Sequence, residues 1–266
     1  MAATPITEPV TAARRAIPAR VATMPQLKVE SVSLVVPCYN EAGGLATLRE
    51  GLGALSAELA KTMRVQVVLV DDGSVDATYA ELESHFTSMP NARVEIVRHD
   101  VNLGLTRALR TAAGVATGDV VCTMDSDCTY APAEVIGLLE LMSRTGADIV
   151  TGSPYHPKGG VENVEGWRLA LSRGASRMYG LVLPQKLYCY TSMFRAYRRE
   201  WYRSEWLTAH NFVGVTEILA RAILAGARVE EYPVVLRRRQ FGQSKMKVGR
   251  AMRDHLKMMG RLAVRR

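Results

Sequence analysis

Aromatic residues supply only 6% of the 266-residue sequence. No recognised nucleic-acid module accompanies them, so the chain lacks the interleaved stacking residues of a nucleic-acid platform, and no nucleic-acid partner is expected. Long apolar runs are missing as well. None approaches the roughly 20 residues that span a bilayer, and the N-terminus has no apolar core of a secretory signal. Cysteine is sparse: Cys38, Cys122, Cys128 and Cys189 lie far apart without a CxxC pair, which excludes a disulfide framework and reads as buried thiols in a reducing compartment. The expected location is therefore the cytoplasm. There is no internal repeat, and GxGxxG is absent around Gly104, which removes the dinucleotide fingerprint.

What remains can fill a core. Hydrophobic residues make up 48% of the sequence, enough for one large α/β domain or two small ones. The formal charge of +8 is concentrated at one end, because residues 237–266 hold eleven Lys or Arg against the single acid Asp254. Residues 1–30, rich in Ala, Pro, Thr and Arg, read as a disordered leader.

Short runs rich in β-branched residues, Ser31 to Val36, Val65 to Val70, Val94 to Val97, Val120 to Met124 and Asp148 to Val150, read as strands. Segments of helical spacing lie between them, carried by Leu45, Leu48, Leu52, Leu55 and Leu59, by Leu105 to Ala113, and by Val135 to Met142. The alternation predicts a doubly wound, mostly parallel sheet flanked by helices, with ligands at the strands' carboxyl ends. Past Gly152 the pattern is irregular. Helices are expected from Trp167 to Leu181 and from Val215 to Leu224, and Val229 to Leu236 reads as a return to the sheet.

The predicted strand at Val120 ends in Met124-Asp125-Ser126-Asp127, two carboxylates one residue apart where the sheet opens. Hard oxygen ligands suit Mg2+ or Mn2+, which in turn hold a diphosphate. Paired aspartates after a strand also form turns and cap helices, so the pair alone decides nothing. Two further polar clusters stand at strand ends: Pro37-Cys38-Tyr39-Asn40-Glu41, and Asp71-Asp72-Gly73-Ser74-Val75-Asp76-Ala77-Thr78. Each by itself reads equally as a turn. Together they converge on one crevice, where carboxylates and carbonyls can read a base and ribose while a metal holds phosphates.

These motifs, with Asn102-Leu103-Gly104, Ala116-Thr117-Gly118-Asp119, Gly152-Ser153, Trp167 to Arg173, Thr191 to Tyr197, Glu217 and Arg239 to Lys245, resemble family 2 glycosyltransferases of the GT-A fold. Within that family the sequence is most similar to dolichol-phosphate mannose synthases and polyprenyl-phosphate sugar transferases, over about residues 31–250. The resemblance implies a metal-dependent, inverting transfer of mannose or glucose from a GDP- or UDP-hexose donor to a polyprenyl phosphate or other lipid acceptor. It assigns Pro37, Tyr39, Asn40, Glu41 and Asp71 or Asp72 to the donor's nucleoside, Asp125 and Asp127 to the metal, and Arg168 with Ser172 to the acceptor's phosphate. Arg239 and Lys245 fall to a loop over the donor phosphates, and Glu217 to an acidic position facing the sugar. The chain departs from the family's usual pattern at Thr129, Pro154, Cys189 and Met193, where Gln, Arg, Asp and Gly are common. His156, Lys158 and Arg173 are basic residues that could replace the missing charge.

Residues 31–244 are thus expected to form the catalytic domain, and residues 245–266 a basic amphipathic helix. Val248, Met252, Leu256 and Met259 line one side of that helix, and Arg250, Arg253, Lys257 and Arg261 a second. It suits an anionic membrane surface, which would make the protein peripheral at the inner face of the cell membrane; packing on the domain is the plainer reading. His85, His99, His210 and His255 stand alone and read as surface or helix residues, and Trp201 with Trp206 as packing. Two other functions remain open. Transfer to a hydroxyl of a glycan, lipid or small metabolite would need a base such as Glu217, and a nucleotide-sugar-binding protein would catalyse nothing.

Overall fold

A computed structural model describes residues 29–209, 212–239 and 248–264. The expected leader up to residue 28, and the loop from 240 to 247 that contains Lys245, lie outside the described residues. So does His210.

The chain runs β1 (Ser31–Cys38), α1 (Leu45–Leu59), β2 (Arg64–Asp71), α2 (Thr78–Phe86), β3 (Arg93–Arg98), α3 (Leu105–Val115), β4 (Val120–Thr123), α4 (Glu134–Thr145) and β5 (Ile149–Ser153). It continues through β6 (Gly160–Glu162), α5 (Gly166–Val182), β7 (Arg195–Arg198), α6 (Val213–Leu224), β8 (Val229–Pro233), β9 (Val235–Arg237) and α7 (Val248–Val264). Seven strands form one sheet in the order β3-β2-β1-β4-β7-β5-β8, parallel except for β7. The central strands β1, β2, β4 and β5 are buried on both faces, which is why they are mostly apolar, while the edge strands β3 and β8 are half-buried and carry charged residues. On β1, Val32, Leu34 and Val36 meet α1 and α4, while Val35 faces the opposite core of α3, α6 and α7.

Two expectations are revised. The stretch after Thr191 contains an extra strand, β7, inserted antiparallel between β4 and β5. The return expected over 229–236 is two strands: β8 pairs with β5 up to Pro233, which has no N–H with which to continue a ladder, and β9 pairs with β6 in a separate ribbon.

Several motif residues serve the scaffold. The Ser33 hydroxyl donates to Gln66 Oε1 at 2.6 Å and accepts from Gly118 N–H at 2.8 Å, and Gln66 Oε1 also accepts from Thr117 N–H. A Cβ on Gly118 would lie 2.5 Å from the Ser33 nitrogen, so only glycine fits there. Asp119 accepts from the Ser31 hydroxyl and the Glu30 amide. Fully buried Arg195 bridges Thr151, Tyr197 and the backbone carbonyls of Tyr190 and Val215, tying β5, β7 and α6 together.

Gly73 just past β2 has φ +69°, and a Cβ there would sit 2.2 Å from the Val101 carbonyl carbon. Gly73→Ala should therefore cost at least about 2 kcal/mol in thermal or urea unfolding. Wild-type stability in that variant would show that the turn has slack.

Candidate active site

The register of the parallel strands brings the polar clusters together. Cys38 pairs with Asp71, and Val35 with Thr123, so the ends of β1, β2 and β4 lie side by side. Hydrogen bonds stitch the first two clusters: Asn40 N–H donates to the Ser74 hydroxyl, Val75 N–H to Asn40 Oδ1, and Glu41 N–H to Thr78 Oγ1. Asn40 reaches this geometry with φ +51°, a left-handed conformation that asparagine tolerates.

Of the adjacent aspartates, Asp72 is consumed by structure. Its carboxylate meets His99 Nδ1 at 2.8 Å and accepts from Asn102 Nδ2 and the amides of Leu103 and Gly104, which fixes the start of α3. That removes it as a nucleoside-reading candidate. Asp71 accepts from Ser74 N–H through Oδ1, while its buried Oδ2 has, among the described residues, no hydrogen-bond donor and only an ion pair with Arg98 at 3.4 Å. An orphaned buried oxygen of this kind calls for a partner.

At the end of β4, Asp127 accepts from Thr129 N–H at 3.1 Å, with Cys128 at φ +54°. The turn-forming role of this aspartate is therefore real, yet it takes only one oxygen. The other receives Arg239 Nε at 2.7 Å, and the same guanidinium reaches Glu41 Oε1 at 2.6 Å. Arg239 is delivered by β9, since Arg237 N–H donates to the Thr129 carbonyl at 3.0 Å. Burial, and then the charge of Asp127, raise the pKa of Asp125 well above the usual carboxylate range, with Glu41 adding to the shift and Arg239 opposing it. Three carboxylates thus share one guanidinium.

Those residues fit a divalent cation. Among the described residues no three His, Cys, Asp or Glu form a ready cage, but Mg2+ or Mn2+ commonly binds through one or two carboxylates and takes its remaining ligands from water and phosphate. The raised pKa of Asp125 reflects burial first and the charge of Asp127 second, and such an ion would offset both.

Beside Asp125 opens a cavity of about 270 Å³, walled by α5, α6, α7 and the 189–193 segment. Arg168 and Ser172 both line it. The Ser172 hydroxyl bonds Thr191 Oγ1 at 2.7 Å, and Arg168 stacks on Trp167 at 5.1 Å while pairing with Glu165.

Residues 33–206 match the model for glycosyl transferase family 2. The chain belongs to this family. Its similar relatives include a dolichol-phosphate mannosyltransferase of Pyrococcus furiosus, 30% identical over 87% of this chain and 63% of that protein. A polyprenol monophosphomannose synthase of Mycolicibacterium smegmatis is 32% identical over 80% of each. The chain therefore spans under two thirds of the archaeal relative. Among solved structures, a mannosyltransferase from Pyrobaculum calidifontis in complex with GDP-Man and Mn2+ shares the fold, with TM-score 0.60 and 19% identity over 91% of this chain and 66% of that one. So does mannosyl-3-phosphoglycerate synthase from Rubrobacter xylanophilus, with TM-score 0.64 and 20% identity over 89% of this chain and 74% of that one.

A second family-derived assignment is corrected. Glu217 of this family 2 chain is not among the residues lining the cavity; its carboxylate accepts from the amides of Thr208 and Ala209 at 2.8 and 2.6 Å, from the Thr208 hydroxyl at 2.6 Å, and from Arg221 at 2.7 Å. It is an anchor for the 208–209 segment. Conversely, Thr129, Pro154, Cys189 and Met193, all four positions that depart from the family's pattern, line this cavity. Of the basic residues offered as replacements, Arg173 stacks on Tyr155, a cavity residue, and His156 accepts from Lys158 N–H. Sequence reasoning missed Phe212, Thr216, Met252 and His255 as cavity residues. Only the helical period of α7 offered a signal, and it could not say which neighbour the stripe meets.

Burial by itself would raise the pKa of Glu217, but the hydrogen bonds from Thr208, Ala209 and Arg221 outweigh it and hold the carboxyl below its ordinary value. A depressed carboxyl stabilises the fold at neutral pH and loses that contribution as pH falls from about 4.3 through the folded value. Glu217→Gln should cost about 1 to 3 kcal/mol at pH 7 and flatten the acid side of the stability profile. An unchanged profile in urea melts from pH 7 to 3 would refute the anchoring role.

Proposed function

We propose that this chain is an inverting, metal-dependent hexosyltransferase that moves mannose or glucose from a nucleotide diphosphate sugar to a polyprenyl phosphate. The observation that carries this reading is the knot of Asp125, Asp127, Glu41 and Arg239 at the meeting of three strand ends. Mg2+ or Mn2+ held by Asp125 and Asp127 would supply Lewis-acid stabilisation of the charge that develops on the leaving diphosphate. Pro37, Tyr39, Asn40, Glu41 and Asp71 would hold the nucleoside. Arg239 would exchange its carboxylate partners for the donor phosphates, on which a planar guanidinium makes paired hydrogen bonds.

An acceptor phosphate is already anionic at neutral pH and needs orientation more than deprotonation, which Arg168 and Ser172 can give. The corrected role of Glu217 favours this acceptor over a hydroxyl, since the carboxylate expected to act as base is saturated by four donor groups. The names of the similar mannosyltransferase and monophosphomannose synthase point the same way. No described helix is long and apolar enough to cross a membrane. Attachment would instead come from α7, whose Arg253, Lys257 and Arg261 are exposed together with Leu256. Each basic residue near anionic headgroups contributes about 1 kcal/mol, and the site would then lie at the inner membrane face.

A thermal-shift panel of GDP- and UDP-sugars with Mn2+, followed by radiolabel transfer to a short polyprenyl phosphate, tests the reading. One nucleotide sugar should raise Tm only with metal, and Asp127→Ala should lower transfer at least about 100-fold. Arg168→Ala should raise the acceptor KM about ten- to hundredfold with little change in donor affinity. Stabilisation without transfer under every acceptor would point to a binding protein, and transfer to a soluble hydroxyl in preference to the lipid would overturn the acceptor.

A further inference from the structure

One wall of the cavity is α7. Met252 and His255 line it, while Met258 and Met259, farther along the helix, are buried in the core shared with Tyr179 and Val215. The helix is held to the domain by Met258 and Met259, and to α5 also by His255, which bonds Tyr179.

The cavity's character separates it from the donor site. Its lining includes Leu105, Leu171, Phe212, Val215, Leu236 and Met252, whereas the nucleoside candidates Pro37, Tyr39 and Asp71 are absent from it. A nucleotide sugar carries charge and hydroxyls along most of its length and, apart from the base, gains little from such walls. An apolar chain attached to an anionic head does. The head has Arg168 and Ser172, and the α7 wall adds an imidazole, His255. His255 Nδ1 bonds the Tyr179 hydroxyl at 2.9 Å, and its Nε2 has no hydrogen-bond partner among the described residues. Burial lowers the pKa of His255, with Asp254 opposing, and raises that of Tyr179, so a neutral imidazole faces a protonated phenol. In the arrangement in which the phenol donates to Nδ1, the one the proposal requires, the imidazole proton sits on Nε2.

We propose that α7 is the acceptor-selecting wall of this site: Met252 bears on the isoprene units next to the phosphate of a polyprenyl phosphate, and the Nε2–H of His255, oriented by Tyr179, donates to that phosphate. The proposal rests on the polyprenyl phosphate reading above and adds residues that the donor chemistry does not need. It also gives α7 a role in selectivity apart from any membrane contact, because Met252 and His255 line the cavity while Arg253, Leu256 and Lys257 are exposed.

The test uses the full chain. Met252→Trp should raise KM for a short polyprenyl phosphate about tenfold or more, equivalent to about 1.4 kcal/mol, and leave the Kd of the nucleoside diphosphate with Mn2+ unchanged. His255→Gln should raise the same KM by a smaller factor, and both variants should keep the wild-type Tm. An unchanged KM in folded Met252→Trp overturns the proposal. A second measurement holds even where no transfer is detected: Met252→Cys is labelled with a maleimide, and wild-type labelling is subtracted to remove the native thiols. Protection of that cysteine by the polyprenyl phosphate and not by inorganic phosphate supports the wall. Equal labelling with and without the lipid overturns it, while loss of transfer in the wild type alone sinks only the functional reading.

Discussion

Like charges crowded into a partly buried crevice are the constraint on which this molecule turns. Glu41, Asp125 and Asp127 come from two different strand ends, and the Arg239 guanidinium spans Asp127 and Glu41 while lowering the cost of ionising Asp125. Concentrated negative charge is expensive to keep out of water, and the proposed divalent cation would offset that cost. The parallel register of β1 and β4 aligns the ends that carry these groups.

The two substrates proposed for the site differ in polarity, and so do the two regions around Asp125. Toward β1 and β2 lie hydrogen-bonded turns in which asparagine, serine and threonine hold one another. Toward α5, α6 and α7 lies a largely apolar cavity. Asp125 lines that cavity and neighbours Asp127, which places the acidic knot at the boundary between the polar turns and the apolar cavity. Inserting β7 antiparallel brings the 189–193 segment and buried Arg195 to this boundary, where Arg195 fixes the backbone of Tyr190 and Val215.

Much of this was legible in the chain. Apolar β-branched runs are unambiguous when both faces of a sheet are buried, so β1 to β5 could be read within a few residues. The acidic pair could be read because carboxylates follow a strand with no apolar reason to be there. Other parts left weaker traces. The helix α2 buries only Thr78, Leu82 and Phe86, too few for a clear period, and β7 hides in a stretch whose buried arginine argues against a strand. Motif residues proved divided between chemistry and scaffold: Asp72, Gly118 and Asp119 bond backbone and neighbouring side chains, and nothing in their local sequence tells such duty from ligand contact. The reassignment of Glu217 and the cavity position of His255 depend on contacts across helices, which no spacing within one helix encodes.

The most direct test of the central claim is an EPR titration of Mn2+ in the presence of a nucleoside diphosphate, comparing the wild type with Asp125→Asn and Asp127→Asn. The account predicts saturable loss of the free Mn2+ signal in the wild type and an affinity weaker by about tenfold or more in each variant. Equal Mn2+ affinity in all three proteins would contradict it.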